Sequence, residues 1–166
     1  VELDQWPEHA KNPFGKIVQV LGDPGNHSVE IQSIVLDYNF DLTFADHIEK
    51  AARNIPNEVT KQEIAKRRDF RDVFTITIDP FDAKDFDDAI SLKRTKNNLW
   101  EVGVHIADVS HYVTEGSGIE NEAYERATSI YLVDRVIPML PEHLSNLVSS
   151  LRPNEEKLTF SAVFEM

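Results

Sequence analysis

The sequence predicts an α+β fold: an N-terminal helical segment, then a mixed, largely antiparallel sheet with packed helices, truncated as a domain. Two patterns predict it. Apolar residues recur at helical spacing as far as Ile64, and from Phe74 onward they alternate with period two. A third observation marks the functional region, because the stretch Asp79–Asp88 holds five carboxylates in ten residues directly after the alternating run Phe74–Ile78.

Taken in order, residues 14–21 alternate as one strand that ends in the turn residues Gly22-Asp23-Pro24-Gly25. Val29, Ile31, Ile34 and Val35 place a helix at 28–38, capped by Asn26 or Ser28. Thr43 opens a second, with Ile48, Ala51 and Ala52 facing inward. A third starts at the capping box of Thr60 and Glu63, with Val59 and Ile64 as its hydrophobic staple. It ends in the cations Lys66, Arg67 and Arg68, followed by Arg71, which are read as complementing the helix dipole rather than tracking phosphates. Strands are expected at 73–79, 88–94, 99–109 and 157–165, with a turn at Lys96-Asn97-Asn98. A helix at 118–130 and a short one started by Pro141 complete the chain.

At 166 residues the chain holds enough material for one ordinary core. It has no cysteine, so disulfides and thiolate metal sites are excluded. No run reaches the ~20 apolar residues of a membrane span, and a soluble, cytoplasmic protein without a membrane partner is expected. The formal charge of −12 opposes non-specific attraction to nucleic acid unless metal ions intervene. The chain begins without Met and stops in a strand-like run, so a piece of a longer protein is expected.

The carboxylate run carries the chemistry. Asp79 is expected at a strand end where Pro80 turns the chain away, and Asp88 opens the next strand. If 85–88 is extended, Asp85 and Asp87 point to one side and Asp88 to the other. Like charges this close raise one another's pKa, and a hard divalent cation relieves them. All-oxygen ligands select Mg²⁺ or Mn²⁺ over zinc. Two ions roughly 3.5–4 Å apart would serve in-line phosphodiester hydrolysis. An EF-hand is ruled out by the three-residue spacing and by Lys84 where the loop requires glycine. A merely solvated acidic loop is disfavoured by Phe81 and Phe86, which interleave with the aspartates.

Asp79-Pro-Phe-Asp-Ala-Lys-Asp-Phe-Asp-Asp-Ala-Ile90 resembles the acidic signature of the ribonuclease II and ribonuclease R family, and is closer to its bacterial ribonuclease R branch. Val104–Val113, Thr128–Tyr131, Val136–Pro141, Leu144–Asn146 and Ser150–Pro153 resemble further motifs of that family in the same order. The resemblance implies a 3′-to-5′ exoribonuclease that degrades single-stranded RNA to nucleoside 5′-monophosphates with Mg²⁺, Mn²⁺ being the alternative ion. By motif it implies Asp79, Asp85 and Asp88 as metal ligands, Asp87 as the residue catalysis depends on most, and Tyr131 as a ring that stacks on a base. Asp82 lies outside this set and is expected to cap its own loop. His105 and His111 are six residues apart, about 20 Å along a strand, and are read as structural. Ala127 stands where the family often has glycine, and Ser149 where it often has cysteine.

The implied organisation is a cold-shock remnant and linker at 1–26, a helical linker region at 27–70 and the first part of the catalytic domain at 71–166. The resemblance also implies a monomeric intact protein whose transition-state arginine lies beyond these residues. The isolated piece is expected to be inactive and to self-associate through open strand edges. Two alternatives stand beside this: a non-catalytic RNA-binding member of the family with a structural metal site, and an acidic protein-interaction domain.

Overall fold

A computed structural model describes residues Val1–Met166. They form two compact units, Val1–Thr43 and Phe44–Met166. In the first, β1 (Glu2–Gln5) pairs antiparallel with β2 (Phe14–Lys16), and α1 (His27–Asp37) follows. The Asn26 side chain accepts the Ser28 N–H at 3.0 Å, which satisfies one of the orphan donors at the start of α1. β2 ends five residues short of the expected strand. Ile17, Val18 and Val20 alternate in sequence but find no partner strand and stay exposed.

The second unit has a helical core. α2 (Asp46–Arg53), α5 (Gly118–Arg126) and a π-helix (His143–Val148) bury Ile48, Ala52, Ile119, Leu144 and Val148 together. α2 starts after Ala45 rather than at Thr43. Of its two adjacent alanines only Ala52 is inside; Ala51 is exposed, a residue's rotation of about 100° away from the core. α3 (Lys61–Lys66) has the expected cap, with the Thr60 hydroxyl accepting the Glu63 N–H at 3.2 Å. Val59 and Ile64 are half-buried, as a staple requires.

The cations after α3 do not spread along its end. Arg67 reaches Asp108 at 2.7 Å, Arg68 pairs with Glu101, and Arg71 pairs with Asp69 and with Glu156. Only Lys66 belongs to the last turn, where it meets Glu63.

β3 (Thr75–Ile76), β4 (Asp88–Arg94), β5 (Trp100–Ala107) and a last strand, Thr159–Glu165, form a sheet in that order, every pair antiparallel. β4, β5 and the last strand lie within two residues of their expected limits. One face is buried through Ala89, Ser91, Gly103, His105 and Ala107. His105 bridges the Ser91 hydroxyl at 2.8 Å and the Ser161 hydroxyl at 2.7 Å and meets the Phe70 ring edge-on. Burial depresses its pKa. A Cβ on Gly103 would lie 2.6 Å from His105 Nε2, so the imidazole occupies the space a larger residue would fill. The opposite face, with Ile90, Leu92, Val104, Ile106, Phe160 and Phe164, is open to solvent. His111 is not on β5: it lies on the short helix α4 (Val109–Tyr112), 4.0 Å from Glu63.

α5 stops at Arg126, four residues before the expected limit, because Ala127 takes a positive φ of 61°. The freed chain forms a hairpin of β6 (Ile130–Tyr131) and β7 (Val136–Ile137), strands too short to show a period in sequence. An L-residue in this conformation costs about 1 kcal/mol relative to glycine. Ala127→Gly should therefore raise stability by about that amount. A urea melt with an unchanged slope and a higher midpoint would register it.

Candidate functional site: an aspartate centre at the end of the sheet

β3 is only two residues long, so Asp79 lies beyond it, on the loop 77–87, and not at a strand end as the alternation predicts. The expected strand 73–79 is cut short because Thr75 and Ile76 pair with Ser91 and Ile90, the Phe74 carbonyl accepts the Leu92 N–H, and the pairing stops there. Asp88 opens β4 opposite Ile106, as expected. The loop turns where the Ala83 N–H donates to the Pro80 carbonyl at 3.0 Å. This backbone bond closes the turn, the task the sequence assigns to the Asp82 side chain.

The rest of the loop is pinned from far along the chain. The buried Ser150 hydroxyl accepts the Phe86 N–H at 3.0 Å and donates to the Lys84 carbonyl at 3.3 Å. The Leu151 N–H donates to the Phe86 carbonyl, and the Ala107 N–H to the Asp87 carbonyl. Asp85, Asp87 and Asp88 thus leave a backbone held on both sides by the sheet and by the segment after the π-helix.

Asp79, Asp85 and Asp88 lie near enough to Asp87 for their charges to act on its carboxyl. Asp87 is exposed, yet the protein packed around its carboxyl raises its pKa through desolvation first. The charges of Asp85, Asp88 and Asp79 then raise it further, and no cation offsets them. Asp79 is half-buried, and its Oδ2 is fully buried without a hydrogen-bond partner. Tyr131 on β6 joins the same centre. Its pKa is raised by desolvation, then by the charges of Asp85 and Asp87 and a hydrogen-bonding contact with Asp85. The residue is 69% exposed.

The side chains do not close into a finished coordination shell: no three Asp, Glu or His side chains stand in a metal-holding group. The donor set is nonetheless suited to a hard dication. It is all oxygen, it lacks a compensating cation, and it includes one buried carboxylate oxygen that nothing in the protein satisfies. Sequence reasoning names all five of these residues. It does not identify Ser150, whose only signal is its place in the Ser150–Pro153 motif.

The class is set by fold and centre together: an α+β domain that gathers four aspartates and one exposed aromatic ring at the end of an antiparallel sheet. The chain belongs to the RNB domain family, which it matches over residues 67–166; residues 1–45 match the cold shock domain family. It is 44% identical to ribonuclease R of Thermotoga maritima, an alignment covering 99% of this chain and 24% of that protein. Among solved structures it is similar to Mycoplasma genitalium RNase R in complex with double-stranded RNA, with a TM-score of 0.89 and 33% identity over 98% of this chain and 29% of that one. The same enzyme with ribose-methylated single-stranded RNA gives 0.81 at 36% identity, over 89% of this chain and 23% of that one. Yeast Ssd1, described as a pseudonuclease, gives 0.73 at 25% identity, over 99% of this chain and 21% of that one. The chain therefore spans about a quarter of the length of the ribonuclease R it matches. No helix is long and apolar enough to cross a membrane.

The folded pKa of Asp87 lies above its ordinary 3.8, so the folded chain binds the extra proton and stability falls as pH rises through that interval. Asp87→Asn should consequently be more stable than the wild type at pH 7, with the difference shrinking as pH is lowered toward 3.8. Denaturant midpoints measured across pH without added metal would check this; an equal or lower midpoint at pH 7 contradicts the repulsion.

Proposed function

We propose that the protein carrying this chain is a metal-dependent exoribonuclease that hydrolyses single-stranded RNA from its 3′ end and releases nucleoside 5′-monophosphates. The observation that carries this is the run of like charges of Asp79, Asp85 and Asp88 bearing on Asp87, with one buried Asp79 oxygen unsatisfied, beside an exposed tyrosine. The names of the relatives, ribonuclease R among them, support the same activity.

Asp79, Asp85 and Asp88 would hold Mg²⁺, or Mn²⁺ in its place. When bound, such an ion supplies Lewis acidity that stabilises charge on the phosphodiester. Asp87 has the chemistry of a proton acceptor. Its surroundings raise its pKa, which strengthens it as a base toward an attacking water. Tyr131 offers an exposed ring for stacking on an unpaired base, near enough to Asp85 and Asp87 for their charges to act on its hydroxyl.

The 166 residues alone should turn over little. Charge opposite the acidic centre supplies a large share of such catalysis, while Arg67, Arg68 and Arg71 are already engaged by carboxylates. The intact protein is proposed to be monomeric and cytoplasmic. The isolated chain would self-associate along the outer edge of the last strand, Thr159–Glu165, beside the open apolar face.

A non-catalytic member of the family is the second reading, favoured by the likeness to the yeast pseudonuclease. All four aspartates are present here, which supports the enzyme. In the complete protein, Asp87→Asn should lower mononucleotide release from a single-stranded RNA by on the order of 10²-fold or more while RNA binding persists. Hydrolysis that survives this substitution, or that continues after divalent ions are chelated, would overturn the assignment.

A further inference from the structure

We propose that Ser150 is a positioning residue for the aspartate centre: its one hydroxyl sets the backbone path through Asp85 and so the placement of Asp85 against Asp87. The proposal rests on the ion-binding role assigned above. Ser150 is 1% exposed, and its Oγ accepts the Phe86 N–H at 3.0 Å while donating to the Lys84 carbonyl at 3.3 Å. Those two groups bracket Asp85. The next residue, Leu151, donates its N–H to the Phe86 carbonyl at 2.8 Å, so both polar groups of the Phe86 backbone end on the segment 150–151.

This contact spans 64 residues of sequence, and it is rigid at its far end. Ser150 lies two residues beyond the π-helix, after its C-cap Ser149, and Leu144 and Val148 of that helix are completely buried in the helical core with Ile48, Ala52 and Ile119. The Lys157 ammonium caps the same segment through the Leu147 carbonyl and meets Glu155 at 3.0 Å. A loop carrying several like charges has no reason of its own to hold one path. Here the path is imposed by a hydroxyl whose position the core determines. Loss of partners that orient metal-ligating groups typically weakens metal binding by 10–100-fold.

Ser149 is the internal control. It is also buried, and its hydroxyl donates to the Leu144 carbonyl at 2.7 Å, a bond made within the π-helix. Ser149→Ala and Ser150→Ala each remove one buried hydroxyl, but only the second releases the loop.

The test uses the whole chain, with two readouts: amide exchange at Phe86 by NMR, and binding of Mn²⁺ followed by loss of its free-ion EPR signal. Ser150→Ala should speed exchange at Phe86 and weaken Mn²⁺ binding by about tenfold, whereas Ser149→Ala should leave both unchanged. Unchanged exchange, or faster exchange with unaltered Mn²⁺ affinity, overturns the proposal. So do equal effects from the two alanine variants. If Ser150→Ala does not fold, the wild type decides: a Phe86 amide that exchanges as fast as an unprotected one refutes the clamp. A wild type that ignores Mn²⁺ while Phe86 stays protected overturns the ion-binding role itself and, with it, the positioning role of Ser150, although the clamp as a contact survives.

Discussion

Crowded like charge is the constraint on which the rest of this structure turns. The charges of Asp85, Asp88 and Asp79 all bear on Asp87, and one buried oxygen of Asp79 has no partner. Left alone, such a segment would relax by spreading into water. It does not, because backbone hydrogen bonds from Ser150, Leu151 and Ala107 hold the loop between the sheet and the helical core.

That division of labour explains the architecture of the second unit. The sheet provides the end at which Asp88 begins an inner strand, and the helical core provides a fixed point for Ser150. Apolar burial of Leu144 and Val148 is therefore converted into placement of charged groups elsewhere. Arg67, Arg68 and Arg71 take no part, since they meet other carboxylates. A centre left in that condition stores repulsion in the folded chain. Protons relieve it at low pH, and a hard dication would relieve it near neutrality.

The open face of the sheet belongs to the same picture. Ile90, Val104, Ile106 and Phe160 stand exposed on a chain that spans about a quarter of its ribonuclease R relative. Membership of the RNB domain family follows from the match over residues 67–166.

Much of this was legible in the sequence wherever the physics is local. The Thr60 cap is made within one helical turn, the limits of β4 follow from its own alternation, and the clustering of Asp85, Asp87 and Asp88 is written in four consecutive residues. The sequence by itself determined that these charges are crowded, that strands follow helices, and that the ligands on offer are oxygens. Only the tertiary structure decided which stretches found partners: β3 keeps two residues, 17–21 none, Ala51 faces out and His111 sits on a helix. It also brought Ser150 to Phe86 and Tyr131 to Asp85. Pairing and burial depend on residues tens of positions away, and no local pattern encodes a hydrogen bond whose two ends are 64 residues apart.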